Sequence, residues 1–323
     1  MIYSDFYVPI QQELAQVEVR LREFLASENP FIDRVVNHGF QLGGKRMRPA
    51  LLLLFARMAG EICPEHEVLA TAIETIHTAT LVHDDILDEA DTRRHLPTIN
   101  KAWNNETSVL LGDFMLARAI RSVLTLKNST FNEIIAEMCC RLCEGEMRQV
   151  GTRGDFALSE ETYLKIICDK TAALCEGACR LGVLAVPGAS DAWADAATTF
   201  GRCLGLAFQI ADDQLDLFGE EASMGKSLGT DLEKQKMTLP MIRLLAALEP
   251  AKREAMIQKM LQNGPTLRSE LQQILRQRGI EHAVNETAER YVAEAIQALD
   301  AFPDCAARQS LVNMARYAIH RTV

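Results

Sequence analysis

Positive charge is the scarcer sign in this 323-residue chain: 34 lysines and arginines stand against 44 aspartates and glutamates, a formal net charge of −10. Nucleic-acid backbones need a basic surface, so that class of partner is excluded. Long apolar runs are missing too; the densest, Ala50 to Ala56, is far too short to span a bilayer. The opening residues, Met1-Ile2-Tyr3-Ser4-Asp5-Phe6, lack a basic stretch leading into an apolar one, so no secretory leader is expected. Sustained two-residue alternation bounded by hairpin turns is absent, and with it any expectation of strands. The 18 glycines and 10 prolines are scattered, with no low-complexity tract and no short-period repeat. Cysteines number nine, and Cys140 and Cys143 form a C-x-x-C, but the second pair that a zinc site wants is absent. Without a leader, the thiols are expected to be reduced, in a cytoplasmic protein, and to act as small core residues. Cys168, Cys175 and Cys179 fall on one helical stripe.

What the chain does have is 48% hydrophobic residues, recurring at spacings of three and four: Val17, Leu21 and Leu25; Leu69, Ile73, Ile76 and Thr80; Tyr291, Ala295 and Leu299. That period predicts an all-α protein, a single-domain bundle of about a dozen helices spanning residues 1–323. Breaks are expected at Gly43-Gly44, Gly60 to Pro64, Leu96-Pro97-Thr98, Gly151 to Gly154, Pro187-Gly188, Gly219 to Gly229, Pro250, Gly264-Pro265 and Pro303. Pro49 suits a first helical turn, and Ser159 with Glu161 and Thr162 marks a helix start.

Two aspartate clusters interrupt apolar helices. In His83-Asp84-Asp85-Ile86-Leu87-Asp88, Asp84 and Asp88 are four apart and share a face. Gln209-Ile210-Ala211-Asp212-Asp213-Gln214-Leu215-Asp216 repeats the pattern, with Gln209 one turn before Asp212 and Asp213. Like charges so close are unfavourable without a counter-ion. A lone D-D-x-x-D is most simply a solvated helix end; two of them in apolar helices point to hard-oxygen ligands for Mg²⁺, bridging to phosphate. Such ions invert the local sign, so an acidic protein can hold a polyanion.

Cations cluster nearby. Asp91-Thr92-Arg93-Arg94 follows the first motif, and paired guanidiniums suit phosphate. Gly43-Gly44-Lys45-Arg46-Met47-Arg48-Pro49 sets three cations beside a glycine pair and a helix start. It lacks the spacing and preceding strand of a Walker A loop. His77 lies on the face of Asp84. Lys170-Thr171, Lys226 and Lys236 are unremarkable singly, although Lys226 opens a turn soon after the second motif.

Together these residues resemble the trans-prenyl diphosphate synthases, particularly the bacterial medium- and long-chain, octaprenyl-type enzymes. The resemblance rests on G-G-K-R-x-R-P at 43–49, I-H-T-A-T-L-V-H-D-D-x-x-D at 76–88 with Arg93-Arg94, G-D at 112–113, K-T at 170–171, Q-x-x-D-D-x-x-D at 209–216, G-K at 225–226 and K-x-T-L-P at 236–240. It implies an isoprenoid-synthase fold around a central cavity, a homodimer, and head-to-tail 1′-4 condensation of isopentenyl diphosphate with an allylic diphosphate. By position, Asp84, Asp85, Asp88, Asp212, Asp213 and Asp216 would hold about three Mg²⁺ ions on the allylic diphosphate. Arg93, Lys170, Lys226 and Lys236 would contact that diphosphate. Lys45, Arg48, His77 and Arg94 would hold isopentenyl diphosphate, and Thr171 and Gln209 would face the reacting carbons. Two positions depart from the family pattern: His95 stands where Gly is usual, and Met237 where Pro or a small residue is common.

Thr80 lies one turn before Asp84, with Ala79 beside it. Short-chain members of the family tend to carry aromatic rings at that turn. Both residues here are small, which leads to an expected product longer than C15, with Ile76, Phe114, Met115 and Ala119 as candidate linings of the tail path. Other readings are a farnesyl or geranylgeranyl diphosphate synthase, a non-catalytic subunit of a heteromeric synthase, a class I terpene cyclase or head-to-head synthase, and a helical scaffold. Cyclases usually lack a second intact aspartate motif and the G-G-K-R-x-R-P segment; a dead subunit would have lost aspartates.

Overall fold

The computed structural model describes residues 3–41, 44–219 and 228–320. Lys226, Gly43 and Gly225 of the sequence motifs lie outside them. The described chain is helical almost throughout, as the three-and-four periodicity predicts. The exception is a two-residue antiparallel pair, Thr92–Arg93 with Leu96–Pro97, which is too short to leave a period-two signal.

The chain forms two compact units. The first comprises Met1–Cys139, Leu174–Gly201 and Ala298–Met314; the second comprises Cys140–Ala173, Arg202–Gln297 and Ala315–Val323.

In the first unit the helices are α1 (Gln11–Leu25), α2 (Pro30–Gln41), α3 (Met47–Ala59), α4 (Pro64–Leu87), α5 (Ile99–Ala102) and α6 (Asn105–Leu124). Pro49 sits in the first turn of α3, and the apolar run from Ala50 to Ala56 is wholly buried. Pro64 opens α4. The Cys63 backbone N–H donates to His66 Nδ1 at 3.0 Å, and His66 Nε2 lies 3.0 Å from the Gly182 carbonyl. With Nδ1 accepting, the neutral ring carries its proton on Nε2 and donates to that carbonyl. Thr71, Thr75 and Thr78 return their hydroxyls to the carbonyls four residues earlier, at 2.7, 2.8 and 2.8 Å, so polar residues sit in an apolar helix without orphaned donors. α4 packs against α1, α3 and α6. Gly112 of α6 lets the His83 ring lie close against it: a Cβ there would come within 2.1 Å of His83 Nε2 unless that ring moved.

α7 (Ser129–Gly151) and α10 (Asp191–Phe218) pass from the first unit into the second, α9 (Ala173–Leu184) lies almost wholly in the first, and the second also draws on α8 (Glu160–Ile167), α11 (Thr230–Glu233), α12 (Leu239–Ala246), α13 (Pro250–Asn263), α14 (Arg268–Gln277) and α15 (Ile280–Ala298); α16 (Ala306–Ile319) is the last described helix. Ser159 caps α8 by accepting from Thr162 N at 3.1 Å, where the sequence places a helix start. Between α8 and α9 the chain widens into a π-helical turn, Cys168–Ala172. The core includes Tyr163, Ile167, Ile210, Leu239, Leu271 and Val284, with Met237 buried among them.

Cysteine burial departs in part from expectation. Cys175, Cys179 and Cys203 are buried, but Cys140 and Cys143 are exposed on α7. Among the described residues, no helix is long and apolar enough to cross a membrane.

Candidate active site

The first aspartate motif closes α4, whose C-cap is Asp88. Asp84 is half-buried, Asp88 exposed and Asp85 buried. Asp85 accepts from Arg93 Nε at 2.9 Å, and Arg93 Nη2 lies 2.8 Å from the same Asp85 Oδ1. Burial raises the pKa of Asp85; Arg93 opposes that and the Asp88 carboxylate adds to it. The hairpin at 92–97 positions Arg93. Its two central residues, Arg94 and His95, have φ of 52° and 65°, the left-handed pair that a tight two-residue hairpin demands. That geometry explains why glycine is usual at position 95, and His95 is held there at some strain.

Behind Asp85, four guanidinium groups, those of Arg46, Arg48, Arg93 and Arg94, act on His77. Burial and then these charges push the His77 pKa well below its ordinary value, so the ring is neutral. Arg46 is matched by acids: Nη1 lies 2.9 Å from Glu74 Oε1, and Glu18 takes Nε and Nη2. Arg48 is not; its Nε is buried without a hydrogen-bond partner. Arg94 has its pKa lowered by burial, then by Arg93 and Arg46, with Glu74 in partial opposition. Gly44 lies beside this group: a Cβ there would stand in ordinary contact, 3.4 Å from Glu74 Oε1 and 3.7 Å from Arg94 Nη2. A cavity here is lined by Gly44, Arg46, Glu74, His77, Asp85 and Arg93. Surplus positive charge with an orphaned buried donor calls for an anion.

The second motif, on α10, is built differently. Asp212 is half-buried, whereas Asp213 and Asp216 are buried. Asp213 accepts from Tyr163 Oη at 2.7 Å, Gln209 Nε2 at 2.8 Å and Lys236 Nζ at 3.2 Å. Gln209 Oε1 in turn accepts from Thr171 Oγ1 at 2.8 Å. Lys236 Nζ also lies 3.2 Å from Asp231 Oδ1. Asp216 accepts from Thr230 Oγ1 at 3.1 Å and from the Asp231 amide at 3.2 Å. Burial alone would lower the pKa of Lys236, but the two carboxylates outweigh it and hold the ammonium firmly protonated. Burial pushes Asp231 up to about 7, against Lys236 and with help from Asp213 and Asp216. Lys170 pairs with Glu146 of α7.

A sequence profile of the polyprenyl synthetase family matches residues 29–278. The chain belongs to the polyprenyl synthetase family. It is 35% identical to the all-trans-nonaprenyl-diphosphate synthase (geranyl-diphosphate specific) of Rhodobacter capsulatus over 98% of both chains. It is 34% identical to heptaprenyl diphosphate synthase component 2 of Geobacillus stearothermophilus, again over 98% of both. A polyprenyl synthase from Caulobacter crescentus, crystallised with calcium and isoprenyl diphosphate, superposes with a TM-score of 0.92 at 31% identity, covering 100% of this chain and 98% of that one. The all-α expectation holds, and this polyprenyl synthetase is an enzyme of the prenyltransferase class.

Within it, Arg48, His77, Arg93, Arg94 and Asp85 come together in the first unit, with Lys45 beside Arg46; the Lys45 carbonyl accepts from Tyr7 Oη at 2.7 Å. Thr171, Gln209, Asp213 and Lys236 form one hydrogen-bonded chain in the second. Ala79, Phe114 and Met115 join a single apolar cluster with Leu25, Val35, Val82 and Leu111. Ile76 is buried outside that cluster's members, and the Thr80 hydroxyl turns back to the His77 carbonyl at 2.8 Å. Participants that had escaped sequence reasoning include Glu18, Glu74, Glu146, Tyr163 and Asp231. Only Asp231 carried a local signal, an acid two residues after Gly229 and five before Lys236.

Among the described residues no three His, Cys, Asp or Glu side chains form a ready metal cluster. The donor chemistry nonetheless suits a hard cation: Asp84, Asp88 and Asp212 all keep exposed surface, and carboxylate oxygens with room for water are what Mg²⁺ prefers.

Proposed function

We propose that this chain is a Mg²⁺-dependent trans-polyprenyl diphosphate synthase, joining isopentenyl diphosphate head-to-tail (1′-4) to an allylic diphosphate. The whole chain acts as one synthase domain, in the cytoplasm, as a homodimer. The observation that carries the reading is the unbalanced cation cluster around His77, with Arg48 Nε buried and unpartnered. A diphosphate is the ligand that would complete it. In this assignment Lys45, Arg48, His77 and Arg94 hold isopentenyl diphosphate. The neutral His77 donates a hydrogen bond and adds no further positive charge.

Asp84, Asp88 and Asp212, with Asp85, Asp213 and Asp216 behind them, are the groups that would hold about three Mg²⁺ ions. Bound metal would stabilise the charge developing on the departing diphosphate. Arg93, Lys170, Lys226 and Lys236 orient that diphosphate and share its charge. Thr171 and Gln209, linked to each other, present their dipoles toward the reacting carbons. Positioning the double bond of isopentenyl diphosphate supplies much of the remaining rate. The proton then leaves to the departing diphosphate, since these motifs offer no strong side-chain base.

Ala79 is small and sits in an apolar cluster with Phe114 and Met115. A side chain of that size would let a growing tail pass beneath the first aspartate motif where an aromatic ring would block it, so the product exceeds C15 and falls in the range of about C30 to C50. Ala79→Phe is expected to shorten it; an unchanged product spectrum would remove Ala79 from the tail path. Dimerisation is supported by the exposed face of α6, where Val109, Leu110, Ile120 and Leu124 are 45%, 61%, 38% and 54% exposed, an apolar stripe that favours association. A second reading, one subunit of a heteromeric synthase, is favoured by the likeness to heptaprenyl diphosphate synthase component 2.

The deciding experiment incubates the purified chain with isopentenyl diphosphate, Mg²⁺ and each of dimethylallyl, geranyl, farnesyl and geranylgeranyl diphosphate, with EDTA controls. An EDTA-sensitive ladder ending between C30 and C50 is expected. A stop at C15 or C20 would discard the long-chain assignment, and no elongation from any starter would favour the subunit reading.

A further inference from the structure

Asp169 has no part in the family motifs quoted above, yet three cations meet it. It is fully buried. Its Oδ1 lies 3.2 Å from Arg141 Nε, and its Oδ2 lies 3.0 Å from Arg148 Nη1 and 3.1 Å from Lys165 Nζ. Burial would raise its pKa, but Lys165 and Arg141 reverse that and hold it below the ordinary carboxylate value. Burying a carboxylate is unfavourable unless several donors meet it, and three cations converge here from two helices.

Asp169 sits in the π-helical turn Cys168–Ala172, which also carries Lys170 and Thr171. A π-turn within α-helical surroundings is intrinsically weak and marks functional positions, so something must hold it. Gly145, between Arg141 and Arg148 on α7, lets the turn approach: a Cβ there would stand 2.5 Å from Lys170 N. Likewise, a Cβ on Gly205 of α10 would stand 2.5 Å from Ala172 Cα. Arg141 Nη2 adds a contact to Cys168 Sγ at 3.5 Å. The turn thus packs closely against two glycines and is pinned by its own aspartate, while Glu146 holds the Lys170 ammonium.

The geometry points to Asp169 as a positioning residue: through Arg141, Arg148 and Lys165 it locks the π-helical turn that aims Lys170 and Thr171 at the allylic diphosphate. The inference rests on the proposed assignment of Lys170 to that substrate. Asp169 itself touches no substrate; it fixes the backbone from which Lys170 reaches. Its loss should therefore affect one substrate and spare the other, because the isopentenyl diphosphate residues belong to the first unit.

The test compares wild type, Asp169→Asn, Asp169→Glu and Arg148→Met. Thermal unfolding checks that each is folded. Steady-state kinetics gives both KM values, and calorimetry measures binding of a non-ionisable thio analogue of the allylic diphosphate with Mg²⁺, which needs no turnover. Asp169→Asn is expected to raise the allylic KM and the analogue's Kd about tenfold, the effect of misaiming one charged hydrogen bond, with the isopentenyl diphosphate KM unchanged. Arg148→Met should give a smaller change of the same pattern, and Asp169→Glu should recover part of the loss by restoring the charge. Equal rises in both KM values, or wild-type constants in a folded Asp169→Asn, would overturn the inference. If Asp169→Asn does not fold, a folded Arg148→Met with wild-type allylic KM and analogue Kd overturns it. A wild-type chain that elongates nothing, yet binds the analogue in an Asp169-dependent way, would refute the proposed activity and leave this role standing.

Discussion

The two aspartate motifs share a pattern and little else. In the first, Asp85 is the only buried member and is held by Arg93, and the surroundings hold more positive charge than their acids balance. In the second, Asp213 and Asp216 are both buried and hydrogen-bonded, Asp213 to Tyr163, Gln209 and Lys236 and Asp216 to Thr230 and the Asp231 amide. One region is electrostatically incomplete and gains from an anion. The other is prebuilt in its hydrogen bonds, its buried carboxylates already met by donors, but it carries more negative charge than Lys236 offsets and gains from a cation. The same five-residue spacing supports both because the helix sets only which residues share a face; neighbouring elements decide what each carboxylate meets.

Removing a cation from each region should therefore have opposite effects on stability, and this is the largest expected difference. Lys236→Met leaves Asp213 and Asp231 without their shared ammonium, which should destabilise the fold by about 3 kcal/mol in denaturant unfolding, the order found when a buried ion pair loses one partner. Arg94→Met relieves repulsion from Arg93 and Arg46, so stability should hold or rise by up to about 1 kcal/mol, while KM for isopentenyl diphosphate rises about tenfold. Equal destabilisation by the two variants would break the comparison.

A smaller effect concerns the start of α4, the helix that carries the first motif. His66 is fully buried, and burial is the main cause of its lowered pKa. A histidine depressed in the folded state binds protons more readily when unfolded. Its contribution to stability is complete above the unfolded pKa of about 6.5 and is lost as pH falls from there toward the folded value. Unfolding free energies measured from pH 7.5 down to 5 should decline in wild type and decline less in a folded His66→Gln. Parallel slopes would show that the cap does not titrate. The smallest effect is at the hairpin that presents Arg93: His95→Gly should stabilise by up to about 1 kcal/mol by relieving a left-handed residue, less whatever the glycine adds in unfolded-state entropy. A loss of stability there would mean that the His95 side chain makes a favourable contact.

Most of the fold was legible because helical periodicity, Pro49, Pro64 and the Ser159 cap are local signals. Motif residues were legible for the same reason: their spacing is short. The partners were not. Glu146 lies 24 residues before Lys170, and Tyr163 lies 50 before Asp213; nothing in their immediate neighbours distinguishes them from ordinary helix residues. The hairpin at 92–97 was too short to alternate. The exposure of Cys140 and Cys143 was missed because small apolar side chains give no sign of which helix face they occupy until the helix is packed.

The difference between the regions predicts different metal requirements for the two substrates. Calorimetric titration of isopentenyl diphosphate, and separately of the non-ionisable allylic analogue, each with Mg²⁺ and with EDTA, measures this directly. Isopentenyl diphosphate should bind in both conditions, since side-chain cations complete its site, while the allylic analogue should bind only with Mg²⁺. Loss of isopentenyl diphosphate binding in EDTA, or full retention of the analogue, would contradict the account.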